Sequence, residues 1–454
     1  MNIALIGGWL PILVEGIAAT ILVAAIGWRT RRWRRLWVPV AALAGMGLAG
    51  AAYWFVDYEA LAEGAAPVVL WLWIALTGAA VVVAIAGWRR ARWWRRSASL
   101  AAVPLCVLCA GLAVDAWTGY LPTVGSVWNR ATDASLPTQT DEATAKDMQR
   151  RHDIPKRGVM VSVRIPDDAS GFRHRDELAY LPPAWFAADP PPPLPAVVMV
   201  GGEFGHPTDW PTSGEAQRTV DEFAAAHDGN APVLVFADTS GEFNNDTECV
   251  NGIRGNAADH LTKDIVPYVI SHFGVNPDPA HWGMVGWSSG GTCALITTVM
   301  HPDLIQSFVD IDGLLGPNAG SREQTVARLF GGDAAAFASF DPATVMTAHG
   351  PYTGVAGWFA VAGSGRPVYH AAGSTTPPDR YPDDRDPADI AAGANYLCSL
   401  ASSTGIECAV APRDGGHDFG AAAKVFSAAL PWLASRLGTP TAAAVTLPGA
   451  SAVP

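Results

Sequence analysis

The sequence predicts an α/β domain with a mostly parallel sheet, preceded by a four-helix transmembrane region. Two observations carry this. From about residue 158 onward, short apolar runs such as PAVVMVGG (195–202) and APVLVFADTSG (231–241) alternate with helical segments, the pattern of strands crossed over by helices. Before residue 115, four long apolar stretches follow one another, each near the roughly 20 residues that a helix needs to span a bilayer. Charge agrees with this division. Only 16% of the 454 residues are charged, against roughly 25% in soluble domains, and the deficit lies in the first part. The net charge of −12 belongs to the second part, which argues against nucleic acid as a partner.

The apolar stretches run over about 9–28, 37–56, 67–88 and 97–114. The first lacks the basic start of a cleaved signal peptide, and four similar spans read as an anchor. RTRRWRR (29–35) separates the first two spans and RRARWWRR (89–96) the last two, whereas DYEALAEGAA (57–66) between them holds no Lys or Arg. Positive loops stay in the cytoplasm. The expected orientation therefore has both arginine loops inside, and the acidic loop and everything after the fourth span outside, on a plasma membrane. Trp9, Trp28, Trp37, Trp88, Trp93 and Trp94 fall at span ends, where indoles favour the headgroup region. Glu15 lies inside the first span, where an ionisable residue is a functional candidate by default, although so near its start that a place at the outer interface is the plainer expectation. The expected organisation is an anchor over 1–115, a linker over 116–155, a catalytic domain over 156–437 and a disordered tail over 438–454.

In the second part, strands are expected at 158–166, 176–186, 195–202, 231–241, 281–291, 305–313, 357–363 and 406–416. Helices are expected at about 213–227, 256–273, 289–301, 387–404 and 420–436. Sites in such sheets form at the carboxyl ends of the strands.

GMVGWSSGG (283–291) is the most informative stretch. A strand ends in it and a helix begins, so its serines lie on the sharp turn that α/β-hydrolases use to present a nucleophile. The residues two before and two after the nucleophile must be small. Ser288 has Gly286 and Gly290 there, whereas Ser289 has Trp287 two residues before it. Ser288 is therefore the expected nucleophile, and Ser289 the donor of a backbone N–H to an oxyanion hole. A serine hydroxyl needs a base, and in this fold the chain order is Ser, acid, His. His417, in DGGHDF between the last strand and the last helix, is the expected base. The acid is open: Asp384 is favoured among Asp379, Asp383, Asp384, Asp386 and Asp389, with Asp312 in DIDG as the alternative after the preceding strand. The second oxyanion donor is expected at Glu203, after Gly202 in VMVGGEFGH.

Cys249, Cys293, Cys398 and Cys408 all fall in the outer part, where disulfides persist. Cys398 in a helix and Cys408 in the next strand can meet across a short turn. Cys293 in the elbow helix then pairs with Cys249 in the loop after VLVFAD. Cys106 and Cys109 fall inside the fourth span and read as inert. The histidines are scattered without an H-E-x-x-H spacing, so no metal site is expected, nor a phosphate-binding loop or a cofactor.

Together, VVMVGGEF, LVFADTSGEFNNDTEC, HLTKDIVPYVISHFGV, GWSSGGTCALITTVMHPDLIQSFVDIDG and GGHDF resemble the esterase D-like branch of the α/β-hydrolases. That branch includes the antigen 85 mycolyltransferases, and the chain looks most like its membrane-anchored esterases of actinobacteria. The resemblance covers about 155–436. It implies ester hydrolysis or acyl transfer at the cell envelope, on an ester or acyl-lipid substrate, with Ser288 as nucleophile and His417 as base. It also implies an acid after the strand GWFAVAG, where the segment 364–385 is inserted. The loop after Glu203 lacks the Arg and Asp pattern of the antigen 85 proteins, so no trehalose site carries over. The rival expectations are a non-catalytic tethered binding protein on a hydrolase fold and, more remotely, a serine peptidase.

Overall fold

The computed structural model describes residues 3–27, 29–59, 66–132, 134–136, 138–374 and 390–450. The chain divides into two units, Met1–Ala134 and Ser135–Pro454.

In the first unit, α1 (Trp9–Ile26), α2 (Val38–Glu59), α3 (Val68–Gly87) and α4 (Trp93–Thr118) are long and apolar enough to cross a membrane. Large apolar side chains such as Ile12, Val23, Leu43 and Ile85 face outward, as they must against hydrocarbon. The inward face is mostly small, with Ala18, Leu22, Trp73, Ala80, Ala102, Cys106 and Cys109 packed as one cluster. Helices α2 and α3 approach closely at two glycines. A Cβ on Gly78 would lie 2.9 Å from Gly45 Cα, and one on Gly45 would collide with Ala75 O. Small residues of this kind let helices in lipid gain van der Waals contact. Arg29 bridges two helix ends, donating to Ala25 O at 2.8 Å and to Gly87 O at 3.3 Å, with its guanidinium 4.1 Å from the Trp33 ring. It satisfies last-turn carbonyls that have no partner within their helices.

The second unit is built on β1 (Gln139–Asp141), β2 (Val159–Val163), β3 (Glu177–Leu181), β4 (Ala196–Val200), β5 (Val233–Phe236), β6 (Asn251–Gly252), β7 (Gly255–Asn256), β8 (Trp282–Trp287), β9 (Ser307–Ile311), β10 (Ala356–Ala362), β11 (Val368–His370) and β12 (Glu407–Arg413). Among the described residues, ten of these form one sheet in the order β1-β2-β3-β5-β4-β8-β9-β10-β12-β11. From β5 through β12 the pairings are parallel, and β3 pairs antiparallel with both β2 and β5. Strands β4, β5, β8 and β9 are buried along their whole length, and β4, β5 and β8 accordingly read as apolar runs. The main core gathers Val198, Val235, Met284, Leu295, Phe308 and Phe359 between sheet and helices. Every strand and helix expected from residue 158 onward has its counterpart.

The fold adds elements at the margins. Within 116–155, helices form at Val124–Thr132 and Glu142–Arg150, and β1 pairs parallel with β2. Asp141 starts the second helix by accepting from Thr144 N at 2.8 Å. In the expected tail, residues up to 450 lie against the second unit. Leu447 is buried, Thr441 Oγ1 donates to His227 O at 3.0 Å, and Val445 N donates to Ser435 Oγ at 3.2 Å. Between β9 and β10, three helices cover Arg322–Phe330, Ala334–Ala338 and Pro342–His349.

Candidate active site

The parallel register brings several strand ends to one edge of the sheet. Val200 stands opposite Gly286, Trp287 opposite Ile311, Ile311 opposite Ala360, and Ala362 opposite Arg413. The loops that leave β4, β8, β9 and β12 therefore converge.

Ser288 sits on the turn between β8 and the helix Ser289–Met300, with φ 60° and ψ −129°. A non-glycine residue held there is strained. The strain is fixed from both sides. Ser288 N donates to Ile311 O at 2.8 Å, and Gly291 N donates back to Ser288 O at 2.7 Å. A Cβ on Gly286 would run into Gly290 O, and one on Gly290 into Val200 O and Gly201 O. The small-residue frame is thus a packing requirement. Gly202 is equally confined, since a Cβ there would lie 3.0 Å from Ser288 Cβ. This brings the turn that carries Glu203 directly over Ser288. Gly205 N closes that turn onto Gly202 O at 2.9 Å.

Sequence reasoning did not single out the support of this turn. Arg175 donates to Gly205 O at 2.7 Å and forks onto Asp238, with Nη2 to Oδ1 at 2.6 Å and Nε to Oδ2 at 2.8 Å. Burial works against an ionised Asp238, but Arg175 and the backbone N–H groups of Arg175 and Gly241 hold its carboxyl below the usual range.

His417 follows β12, one residue before the cap of the helix Phe419–Arg436, which Asp418 provides by accepting from Ala421 N at 2.9 Å. The imidazole leans on Trp287, the residue before Ser288, with ring centroids 5.1 Å apart. Phe419 packs against Trp287 at 4.4 Å and Trp210 at 5.6 Å. An aromatic wall therefore fixes the start of the last helix.

Asp312 follows β9, 1% exposed, with φ 54° and its N–H donating to Ala360 O at 2.9 Å. Its Oδ2 lies 3.6 Å from His417 Nδ1. Arg413, the last residue of β12, forks onto the same carboxylate through Nε at 3.1 Å and through Nη2. The Arg413 Nη1 donates to Gly415 O at 3.2 Å and Gly416 O at 2.8 Å. Arg413 therefore ties Asp312 to the loop that carries His417, a role the sequence signalled only as a lone Arg closing an apolar strand. Asp384, with Asp379, Asp383, Asp386 and Asp389, lies outside the described residues. Neither the stretch Gly363–Pro367 after β10 nor β11 holds a carboxylate.

The structure joins Cys249 to Cys293, with Cα atoms 5.5 Å apart, and Cys398 to Cys408, at 5.8 Å. The first bridge ties the loop after β5 to the elbow helix. Cys106 and Cys109 are free and buried in α4.

Comparison with known proteins supplies the family. The family model Esterase, described as "Putative esterase", matches residues 173–433. An uncharacterized protein of Corynebacterium glutamicum is 32% identical over 329 residues, covering 70% of this chain and 71% of that one. Among solved structures, an S-formylglutathione hydrolase from Agrobacterium tumefaciens is 15% identical with TM-score 0.47, covering 63% of this chain and 97% of that one. MPT51 of Mycobacterium tuberculosis is 16% identical with TM-score 0.39, covering 61% of this chain and 100% of that one. With its α/β-hydrolase sheet and a family match that takes in Ser288, Asp312 and His417, the chain belongs to the esterase family and is a carboxylic ester hydrolase by family.

Proposed function

We propose that this protein hydrolyses or transfers acyl esters at the outer face of the plasma membrane, with Ser288 as nucleophile, His417 as base and Asp312 as the acid that orients it. The observation that carries the reading is the approach of His417 Nδ1 to Asp312 Oδ2, 3.6 Å, at the sheet edge where Ser288 stands on its strained turn. Asp312, buried and held by Arg413, takes the role that the sequence favoured for Asp384.

In this reading His417 Nε2 takes the proton as Ser288 Oγ attacks the ester carbonyl. Asp312 stabilises the imidazolium. The N–H groups of Ser289 and Glu203 receive the oxyanion; removing one such donor costs about 10²–10³ in kcat where it has been measured. His417 then protonates the departing alkoxide, leaving an acyl-Ser288 ester. Water, or an acceptor hydroxyl in the transfer reaction, gives up its proton to His417 and attacks that ester; His417 then returns the proton to Ser288 Oγ as the acyl group departs. The stacked pair Phe204 and Phe243, 5.2 Å between centroids, adjoins the Glu203 turn, and Phe243 is 71% exposed. It offers an apolar platform for the acyl part of a substrate.

The outer location rests on the arginine loops and on the two disulfides. A non-catalytic tethered binding protein is the competing reading; the strained turn at Ser288 and the approach of His417 to Asp312 at 3.6 Å support catalysis over it. The test is an assay of the purified full chain against p-nitrophenyl esters of graded acyl length, with and without sugar acceptors. Turnover that is lost in Ser288→Ala supports the reading, and no turnover on any ester contradicts it.

A further inference from the structure

A second cluster of chemically capable side chains lies away from Ser288. His174, in the loop before β3, Glu177, the first residue of β3, and His260, which opens the π-helical turn His260–Ile265, meet in the interior. A nitrogen of each histidine and an oxygen of Glu177 lie within 4.8 Å of one another. Glu177 and His260 are completely buried, and the His174 side chain is 6% exposed. The two imidazoles stack with centroids 4.1 Å apart.

The proton positions define what this cluster needs. His260 Nδ1 is 3.1 Å from Asp264 Oδ2, and its Nε2 is 3.1 Å from Glu177 Oε1. Asp264 also accepts from Ala169 N at 3.1 Å. A carboxylate at each ring nitrogen leaves a neutral His260 with one lone pair facing another. Something positive must lie on that side, either a second proton or a metal ion. His174 Nδ1 is 2.8 Å from Arg175 O, and a carbonyl can only accept, so this contact holds the His174 proton on Nδ1. Histidines that bind a metal through one nitrogen hold the other N–H on a carboxylate or carbonyl in this way.

Two further observations favour the metal over the proton. Glu177 Oε1 already accepts from Asp238 N at 3.1 Å, whereas Glu177 Oε2 is buried with no hydrogen-bond partner, 3.9 Å from His174 Nδ1. A buried carboxylate oxygen left without a donor is costly, and a metal would satisfy it. The charges point the same way. Arg175 is committed to Asp238, so Glu177 and Asp264 are the anions left to balance. A divalent ion neutralises both, and a single proton neutralises one. Two imidazoles and one carboxylate with room for a further ligand suit zinc and its first-row neighbours. His174 also lines a cavity of about 930 Å³, with Phe172, Arg173 and Asn245, which gives an ion a way in.

We infer that His174, Glu177 and His260 form a binding site for a divalent transition-metal ion such as zinc, with Asp264 and the Arg175 carbonyl orienting the two histidines. The site adjoins the catalytic scaffold without belonging to it. Glu177 holds Asp238 N, Asp238 holds Arg175, and Arg175 holds Gly205 O. The ion is placed to brace the turn that carries Glu203.

The test uses the full chain in detergent, stripped by chelator and reloaded with zinc or cobalt. Metal content after desalting should be one equivalent, cobalt should give the visible absorption of a nitrogen- and oxygen-ligated ion, and zinc should raise the unfolding temperature. His174→Ala, a change at the partly accessible ligand, should lose all three responses while keeping the circular dichroism of the parent. Asp264→Asn should weaken zinc binding by roughly 10–100-fold. Less than a tenth of an equivalent bound by the parent at micromolar zinc overturns the inference and leaves a buried imidazolium between Glu177 and Asp264. Stoichiometric binding that survives His174→Ala overturns it as well, because the ion is then held elsewhere.

Discussion

Arg413 and Asp312 form a buried fork at the edge of the sheet, joining the last residue of β12 to the residue that follows β9. The pair matters because the same carboxylate faces His417 and the same guanidinium holds the Gly415 and Gly416 carbonyls just before it. Asp312→Asn keeps the shape but loses the charge that orients and stabilises His417. It should lower kcat by roughly 10⁴-fold, as the equivalent change does in a triad, and it should also lower the unfolding temperature, because Arg413 is left buried without its anion. Retention of most activity would return the acid to the segment 377–393. Arg413→Met, by contrast, leaves Asp312 buried without its partner. It should cost about 3–5 kcal/mol, read from urea unfolding.

The two serines of the elbow separate cleanly. Ser288→Ala should abolish turnover of a small activated ester. Ser289→Ala should retain a substantial fraction of it, because Ser289 contributes a backbone N–H that alanine keeps. Equal loss in both would remove the elbow assignment.

The bridges differ in what they restrain. Cys249–Cys293 closes a separation of 44 residues and Cys398–Cys408 one of 10. Removing a native bridge costs roughly 2–5 kcal/mol, more for the longer loop. The Cys249→Ala/Cys293→Ala pair should therefore unfold earlier in urea than Cys398→Ala/Cys408→Ala. It should also lose more activity, because it frees the loop that packs on the elbow helix. A reversed order of either effect would contradict the bracing role.

One acid sets a component of the pH dependence. Burial pushes the Glu142 carboxyl up, but Lys146, Tyr268 Oη at 2.6 Å and His272 Nδ1 at 2.8 Å outweigh it and hold it below its ordinary value. A depressed folded-state pKa gives stability that is present above the unfolded-state value of about 4.3 and is lost as pH falls through the folded one. The parent should thus lose stability in acid more steeply than Glu142→Gln, compared by urea unfolding from about pH 7 down to about pH 3. Parallel curves would remove this contribution.

Much of this architecture is legible because buried parallel strands announce themselves. AVVMV, VLVF and WGMVGW are apolar on both faces, so the strands and the elbow follow from one pattern. Local signals also exist for helices beyond the expected set. Ser321 and Gln324 form a reciprocal cap at the start of Arg322–Phe330, and Asp341 with Pro342 opens Pro342–His349. Both are short-range signatures. The acid is ambiguous in the sequence for a different reason. Five aspartates crowd 377–393, and only the register of β9 against β8 and β10 shows that Asp312 reaches His417. Glu177 and His260 are 83 positions apart, with no spacing to link them, and antiparallel β3 brings them together.

Topology follows from the arginine loops and can be read in intact cells. A cysteine placed at Glu59, the end of α2, should react with a membrane-impermeant maleimide. One placed at Thr30 should react only after permeabilisation. The opposite pattern would put the second unit in the cytoplasm and contradict the outer-face reading.

The most direct measurement is active-site labelling of the full chain by a fluorophosphonate, followed by peptide mass spectrometry. The account predicts one stoichiometric adduct on the peptide containing Ser288, with labelling lost in Ser288→Ala and strongly slowed in His417→Ala. No adduct on folded protein, or an adduct elsewhere that persists in Ser288→Ala, would contradict it.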